Sequence, residues 1–469
     1  MKKYSLSKNA GLIIIIFIIS RIALTFFDIS LDYTAIFRNW QYLDVYTLQH
    51  NLLRGVWYDH TQPPVFNLFL GLVLKLTGSY APIAFSLIFK LFTLVNTLLL
   101  YCILKKTIQH TYIPIILALL YLLSPASIIF ENELFYTSFI SFWFLLSCYF
   151  LLGFREKINW KNSGGFFLCL LVISLTRSMY HIAWQLILSI IVLIYYRKEI
   201  GLSKLVAASL IAILLTGSWY VKNYIIFNTF STSTWAGMNI ARNVFHDAPI
   251  TDSSRIETIE PFSKISAYKS YIPAGYENKY AGLNDRDLLL EMKNDSFINE
   301  KHVGYIEVSN KYMAAIKQEI KSHPLGYIKN VVQSGITFFA PATRYPTTEY
   351  QAKKIKYYDV LYSFNISHFA SGKQQRRIAL TVSAFPKFII YLLVFFLVVR
   401  DMIRKRRINI LHFFILAIIL YIFFISSFFE HYENMRFRYE AEPLFLVLAA
   451  FAIDFFLKNR KKVRDVKTA

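Results

Sequence analysis

Apolar runs of bilayer length recur along this chain, and they constrain everything else about it. GLIIIIFIIS at 11–20 and KFIIYLLVFFLVV at 387–399 belong to two of them. Windows of roughly 16–22 such residues are long enough to cross the hydrocarbon core. Inside lipid every backbone N–H and C=O must be paired within the chain, so such runs fold as helices. Hydrophobic residues make up 55% of the sequence, above the roughly 45–50% of a soluble domain. The expected fold is an all-α polytopic membrane protein of about ten spans, near 10–27, 82–104, 112–130, 137–153, 164–176, 181–196, 204–219, 380–399, 408–428 and 442–457.

The formal net charge is +22. In a soluble chain that would suggest nucleic acid. Here the cations lie in short tracts beside the apolar runs. Lys2, Lys3 and Lys8 precede the first span, and Lys105 and Lys106 follow the second. Arg155, Lys157 and Lys161 follow the fourth, and Arg197, Lys198 and Lys204 the sixth. RDMIRKRR (400–407) follows the eighth, and KNRKKVR (458–464) the last. Alternate loops are rich and poor in Lys and Arg, which is the positive-inside pattern. It predicts both termini in the cytoplasm, in a multi-pass protein that fits a bacterial inner membrane, with no nucleic-acid partner. The cysteines Cys102, Cys148 and Cys169 form no CxxC pair, so neither a disulfide framework nor a cysteine metal site is indicated.

Three regions follow: a first module at 1–219 with an outer loop at 28–81, a loop domain of mixed or helical structure at 220–379, and closing spans with a basic tail at 380–469. The apolar stretch at 324–342 would put the 400–407 tract on the wrong side if it spanned, so it is expected to be interfacial or re-entrant. In YDHTQPPVFN (58–67), Pro64 can open a helix at no hydrogen-bond cost, because a first-turn N–H has no partner anyway. A surface helix is therefore expected over 64–78.

Ionisable residues crowd the outer side. The first loop carries Asp28, Asp32, Asp44 and Asp59, the last of these beside His60. FENELFYT carries Glu131 and Glu133, and EHYENMRFRYEAEP carries Arg436 and Arg438 among several acids. Ionisable groups at a lipid boundary are costly and tend to be functional. Arginine's planar fork suits phosphate oxygens, and both arginines could reach one phosphate if their segment were a loop. Glu131, Glu133, Asp59 and His60 are candidate ligands for a divalent metal. The chain carries neither a P-loop nor GxGxxG nor HExxH, so a nucleotide cofactor has no support.

RIALTFFDISLDYT followed by NLLRGVWYDHTQPPVFNLFLGLVLKLTG resembles the start of the GT-C membrane glycosyltransferases, in particular the branch of protein O-mannosyltransferases and the lipid A aminoarabinose transferase. SWYVKNYIIFNTFSTSTWAGMNIARN (218–243) and HYENMRFRYEAEPLFLVLAAFAI (431–453) resemble later segments of that family, in the same order. The chain departs from it in having Tyr33 after Asp32 and Gln62 before the proline pair. The resemblance implies transfer of a sugar from a polyprenyl-phosphate donor to a glycan, lipid or protein acceptor on the non-cytoplasmic face. It implies Asp32 as base, with Asp28 and Asp44 as competitors. Arg436, Arg438, Lys222 and Arg242 would bind the donor phosphate, and a divalent metal could share that task. The alternatives are a transporter or flippase of lipid-linked sugars, or a non-catalytic partner in polysaccharide assembly.

Overall fold

The computed structural model describes residues 8–245, 286–290, 292–293, 297–406 and 408–468. The middle of the expected loop domain, 246–285, lies outside the described residues, as do Lys2 and Lys3. What is described is helical, apart from one antiparallel pair of two-residue strands, Met292–Lys293 with Phe297–Ile298.

The helices of the first half are α1 (Lys8–Thr25), α2 (Ala35–Arg38), α3 (Val45–His50), α4 (Leu52–Tyr58), α5 (Pro64–Thr77), α6 (Ala81–Thr107), α7 (Ile113–Leu123), α8 (Pro125–Phe130), α9 (Thr137–Gly153), α10 (Trp160–Ser174), α11 (Ile182–Tyr195), α12 (Leu202–Phe227) and α13 (Ala236–Val244). The second half holds α14 (Arg286–Leu289), α15 (Gly304–Ser322), α16 (Pro324–Phe339), α17 (Glu349–Lys354), α18 (Lys356–Ser363), α19 (Lys373–Lys405), α20 (Ile410–Phe429), α21 (Asn434–Glu440) and α22 (Glu442–Thr468). Among the described residues five helical stretches are long and apolar enough to cross a membrane: Lys8–Thr25, Pro64–Thr107, Leu202–Phe227, Gln374–Lys405 and Ile410–Phe429. With the shorter apolar helices α7, α9 and α11, they mark an integral, multi-pass membrane protein.

Local chemistry explains where the elements differ from expectation. The run at 112–130 is two helices, because Pro125 contributes no N–H and Ser124 accepts a hydrogen bond from Ser127 N at 3.0 Å to cap the second one. The freed carbonyls of α7 are met from outside: Tyr358 and Tyr362 donate to Leu123 O and Leu120 O, each at 2.5 Å. The boundary expected at 219/220 falls inside α12, which runs on to Phe227 and closes at Asn228 in the left-handed region, φ 54°. Asparagine tolerates that conformation better than most side chains. Pro64 does open α5, which turns into α6 through a single 3-10 turn at Gly78–Tyr80. Helix α16 has 16 residues and packs along α20, α21 and α19.

The outer elements dock closely. Gly237 on α13 donates its N–H to Ser309 Oγ at 3.0 Å, and a Cβ there would lie 1.9 Å from the carbonyl oxygen of Ser309 on α15. Backbone cannot yield as a flexible side chain can. We expect Gly237→Ala to lower stability by about 1–3 kcal/mol or more, the range for overpacking, read as a fall in the unfolding midpoint in detergent. An unchanged midpoint would mean that α13 and α15 pack less tightly than the geometry states.

Candidate functional site

The segment carrying Arg436 and Arg438 is a helix, α21, and every residue of it is buried. Two residues on a helix are about 200° apart, so the two guanidiniums diverge. Arg438 donates to Phe338 O at 2.7 Å and Ala340 O at 3.2 Å, and it is ion-paired with Glu442. It clamps the end of α16 and, unlike Arg436, does not line the cavity described next. Arg436 lies among the rings of Phe135, Tyr345, Phe437 and Tyr136, at 4.5, 4.9, 4.8 and 5.5 Å. Its Nη2 pairs with Glu433, while Nε and Nη1 make no hydrogen bond within the protein, although the residue is only 1% exposed. Unpaired buried donors are expensive, and these two belong to a residue that lines a cavity of about 490 Å³.

Two further arginines line the same cavity. Arg177, between α10 and α11, packs its guanidinium 3.6 Å over the Phe437 ring and pairs with Glu440, which also accepts from Tyr180 Oη at 2.5 Å. Arg242 of α13 approaches Glu433 at 3.2 Å and Glu430 at 3.6 Å. The two glutamates are driven apart electrostatically. Burial pushes the Glu430 carboxyl up to about 7; Glu433 adds to the rise and Arg242 opposes it. Burial acts the same way on Glu433, but Arg436 and Arg242 overcome it and hold that carboxyl at about 2. Glu430 Oε2 has no hydrogen-bond partner within the protein. The two carboxyls therefore lie side by side in the cavity with their proton affinities moved in opposite directions.

The cavity wall also includes Trp40, Gln41, Gln62, Ser233, Trp235 and Asn239, neutral hydrogen-bonding groups and two indoles. Behind it lies a buried network. Asp59 accepts from Thr61 N at 2.9 Å, Thr61 Oγ1 at 2.7 Å and Asn67 Nδ2 at 3.2 Å, and faces Lys301 Nζ at 3.3 Å. Lys301 also reaches Gln41 O at 3.1 Å and Thr61 Oγ1 at 2.5 Å. Burial works to raise the Asp59 carboxyl, yet Lys301 and Thr61 hold it below the ordinary range. His60 bonds Thr234 Oγ1 at 2.7 Å and Lys301 O at 2.9 Å, and burial lowers its pKa to about 4. Lys222 donates to Trp57 O at 2.8 Å and Asp59 O at 3.2 Å. It holds the loop before α5 and lies outside the cavity lining.

The four expected metal ligands are not brought together. Glu131 is paired with Arg21 at 2.7 Å, Glu133 accepts from Thr347 Oγ1 at 2.8 Å, and Asp59 and His60 belong to the Lys301 network. Among the described residues no group of three or more His, Cys, Asp or Glu could hold an ion. The three aspartates also stand apart. Asp44 caps α3 through Tyr46 N at 2.8 Å, and Asp28 meets Lys354 at 3.0 Å on the surface. Asp32 pairs with Arg38 at 2.7 Å and accepts from Thr34 Oγ1 at 2.5 Å, and none of the three lines the cavity. Of the sequence candidates the cavity keeps Arg436 and Arg242. It adds Arg177, Glu430 and Glu433. Arg177 had a signal: it is a lone arginine in a short connection between two apolar runs.

Its remaining side is mostly apolar, along Met179, Ala183, Trp184 and Ile187 beside α11 and Tyr421 and Ile425 of α20, with Ser178 and His181 among them. Ile187 is 57% exposed. Both helices are apolar enough to lie in lipid. No family model, curated protein or solved structure matches this chain.

Proposed function

We propose that this chain is a membrane glycosyltransferase that moves a sugar from a polyprenyl-phosphate donor to an acceptor on the non-cytoplasmic face, both termini being cytoplasmic. The observation that carries the reading is the join within one cavity. A buried arginine with two unpaired guanidinium nitrogens sits where a lipid-facing apolar groove meets a neutral wall of amides and indoles. Phosphate oxygens suit the first, a prenyl chain the second and a sugar the third.

In this reading the acceptor oxygen attacks the anomeric carbon and the bond to the phosphate oxygen breaks. The leaving phosphate gains charge in the transition state, where Arg436, Arg177 and Arg242 stabilise it. Glu433 keeps Arg436 and Arg242 aligned. Glu430 takes the proton of the acceptor hydroxyl. A base works best with a pKa near the working pH, which favours Glu430 over Glu433 and over the ion-paired Asp32.

The test offers detergent-solubilised protein a panel of polyprenyl-phosphate sugars. Wild type should release sugar, Glu430→Gln should lose about 10²–10⁴-fold of the rate, and Asp32→Asn should stay within a few fold. The inverse pattern would return the base to Asp32. Binding without release from any donor would favour a transporter or an assembly partner. The pH dependence has a definite sign. Glu430 must be deprotonated to act, so the rate should climb with pH, level off above about 7, and lose that inflection in Glu430→Gln.

A further inference from the structure

The neutral wall of the cavity comes from three separate segments: Gln41 before α3, Gln62 before α5, and Ser233 and Trp235 before α13. None of these residues lies in a helix, so no helical ladder fixes their backbone. Lys301, which is outside the cavity lining, meets all three segments. Its ammonium has three protons to give, and three acceptors surround it: Gln41 O at 3.1 Å, Thr61 Oγ1 at 2.5 Å and Asp59 Oδ2 at 3.3 Å. Thr61 directly precedes Gln62, whose own N–H donates to Asp59 Oδ1 at 3.3 Å.

The third segment is reached through a ring and through the backbone. Lys301 Nζ stands 5.3 Å from the centre of the Trp235 ring. His60 Nε2 donates to Lys301 O at 2.9 Å, which leaves Nδ1 to accept from Thr234 Oγ1 at 2.7 Å. Thr234 N donates back to His60 O at 3.0 Å. The Lys301 side chain is 3% exposed, so its charge is spent inside the protein. The arginine end of the cavity has its own supports, the ion pairs of Arg436, Arg177 and Arg242 with Glu433, Glu440 and Glu430.

We propose that Lys301 is the positioning residue of the sugar subsite: one buried ammonium sets the spacing of Gln41, Gln62 and Trp235, and with it the preference of the cavity for a sugar-bearing over a bare lipid phosphate. The inference rests on the glycosyltransferase reading, in which that wall receives the sugar, and it adds the group that shapes the wall from behind. Orienting groups have to be held to within about 0.5 Å, and a misplacement of about 1 Å can cost about 10²-fold in rate. Three loop segments tied to one ammonium meet that demand together and lose it together.

The test variant is Asp59→Asn/Lys301→Met, which leaves no unpaired charge buried. Thr61→Val removes a single link of the same hub and is the milder second variant. The unfolding midpoint in detergent checks that each folds. Amide hydrogen exchange on the full-length protein reads the wall directly. In the double variant the segments 39–43, 60–62 and 232–235 should exchange at least tenfold faster, while 177–180 and α21 stay within threefold of wild type. Unchanged exchange in the three segments, or equal acceleration in α21, overturns the positioning role.

Binding then reads the subsite. The probes are bare polyprenyl phosphate and a panel of polyprenyl-phosphate sugars. Wild type should bind at least one sugar-bearing lipid tenfold or more tighter than the bare one. The double variant should hold the bare lipid within threefold of wild type and lose that preference, and its transfer rate should fall about 10²-fold. Thr61→Val should lose less in the same direction. A double variant that keeps the preference overturns the inference, and so does a wild type that binds both lipids equally. A preference in wild type without any sugar release overturns the transferase reading and leaves the subsite standing. Wild type that binds neither lipid overturns the lipid-phosphate reading of the cavity, and the exchange data still decide whether Lys301 sets the wall.

Discussion

Arg436→Gln should cut transfer by about 10²–10³-fold, the usual loss when one preorganised donor to a developing oxyanion is removed, and should weaken donor binding in parallel. The size of the effect follows from the site. Arg436 is 1% exposed, it is boxed in by four rings, and two of its nitrogens find no acceptor in the protein. Such an arrangement costs stability unless an anion completes it. Arg436→Lys should not rescue, because an ammonium is a point charge without the planar fork that grips two oxygens and stacks between rings. Arg438→Gln is the control. Its guanidinium is spent on Phe338 O, Ala340 O and Glu442, so its loss should lower the unfolding midpoint and leave the donor KM of the folded fraction unchanged. Donor titration and kcat/KM on both variants give the answer. If Arg436→Gln binds the donor within threefold of wild type, the phosphate is held elsewhere.

Asp59→Ala should destabilise the fold by about 3–5 kcal/mol, the range for stripping one partner from a buried ion pair. The substitution strands the Lys301 ammonium, whose side chain is 3% exposed, and removes the acceptor for Thr61 and Asn67. Thermal unfolding in detergent measures it. In Asp59→Ala/Lys301→Met no charge is left buried, and more than half of the loss should return, as a double-mutant cycle would show. Additive losses would mean that the pair does not interact. The acid side follows with its sign. The Asp59 carboxyl is held below its ordinary value in the fold, so its contribution is present above the unfolded carboxylate range, about 3.9, and fades as pH falls through the lower folded value. Asp59→Asn should flatten that part of the acid unfolding profile.

Much of the scaffold could be read from residues alone. A span announces itself by local composition, so five of the ten or so expected spans appear as helices long and apolar enough to cross a membrane, and Pro64 opens its helix for a reason contained in one residue. Where the reading slipped, the cause was also local but weaker. Ser124-Pro125 breaks an apolar run that hydropathy treats as continuous, and WYVKNYIIF carries α12 eight residues past its expected end.

The site was legible only in part. Arg436 and Arg242 stood out as cations on the outer side, and the cavity keeps both. Whether a cation is available depends on what surrounds it. Arg438 differs from Arg436 by two positions on a buried helix, and that rotation sends one to carbonyls and the other to a cavity. Lys222 and Asp59 look like site residues in sequence, and partners over 160 and 240 residues away make them struts.

The sequence by itself determined the membrane character and the helical class, because the cost of burying polar backbone in lipid is set residue by residue. The tertiary structure decided which guanidinium nitrogens stay unpaired and which charged side chains neutralise one another. Those properties belong to distances between chain segments, and no single segment contains them.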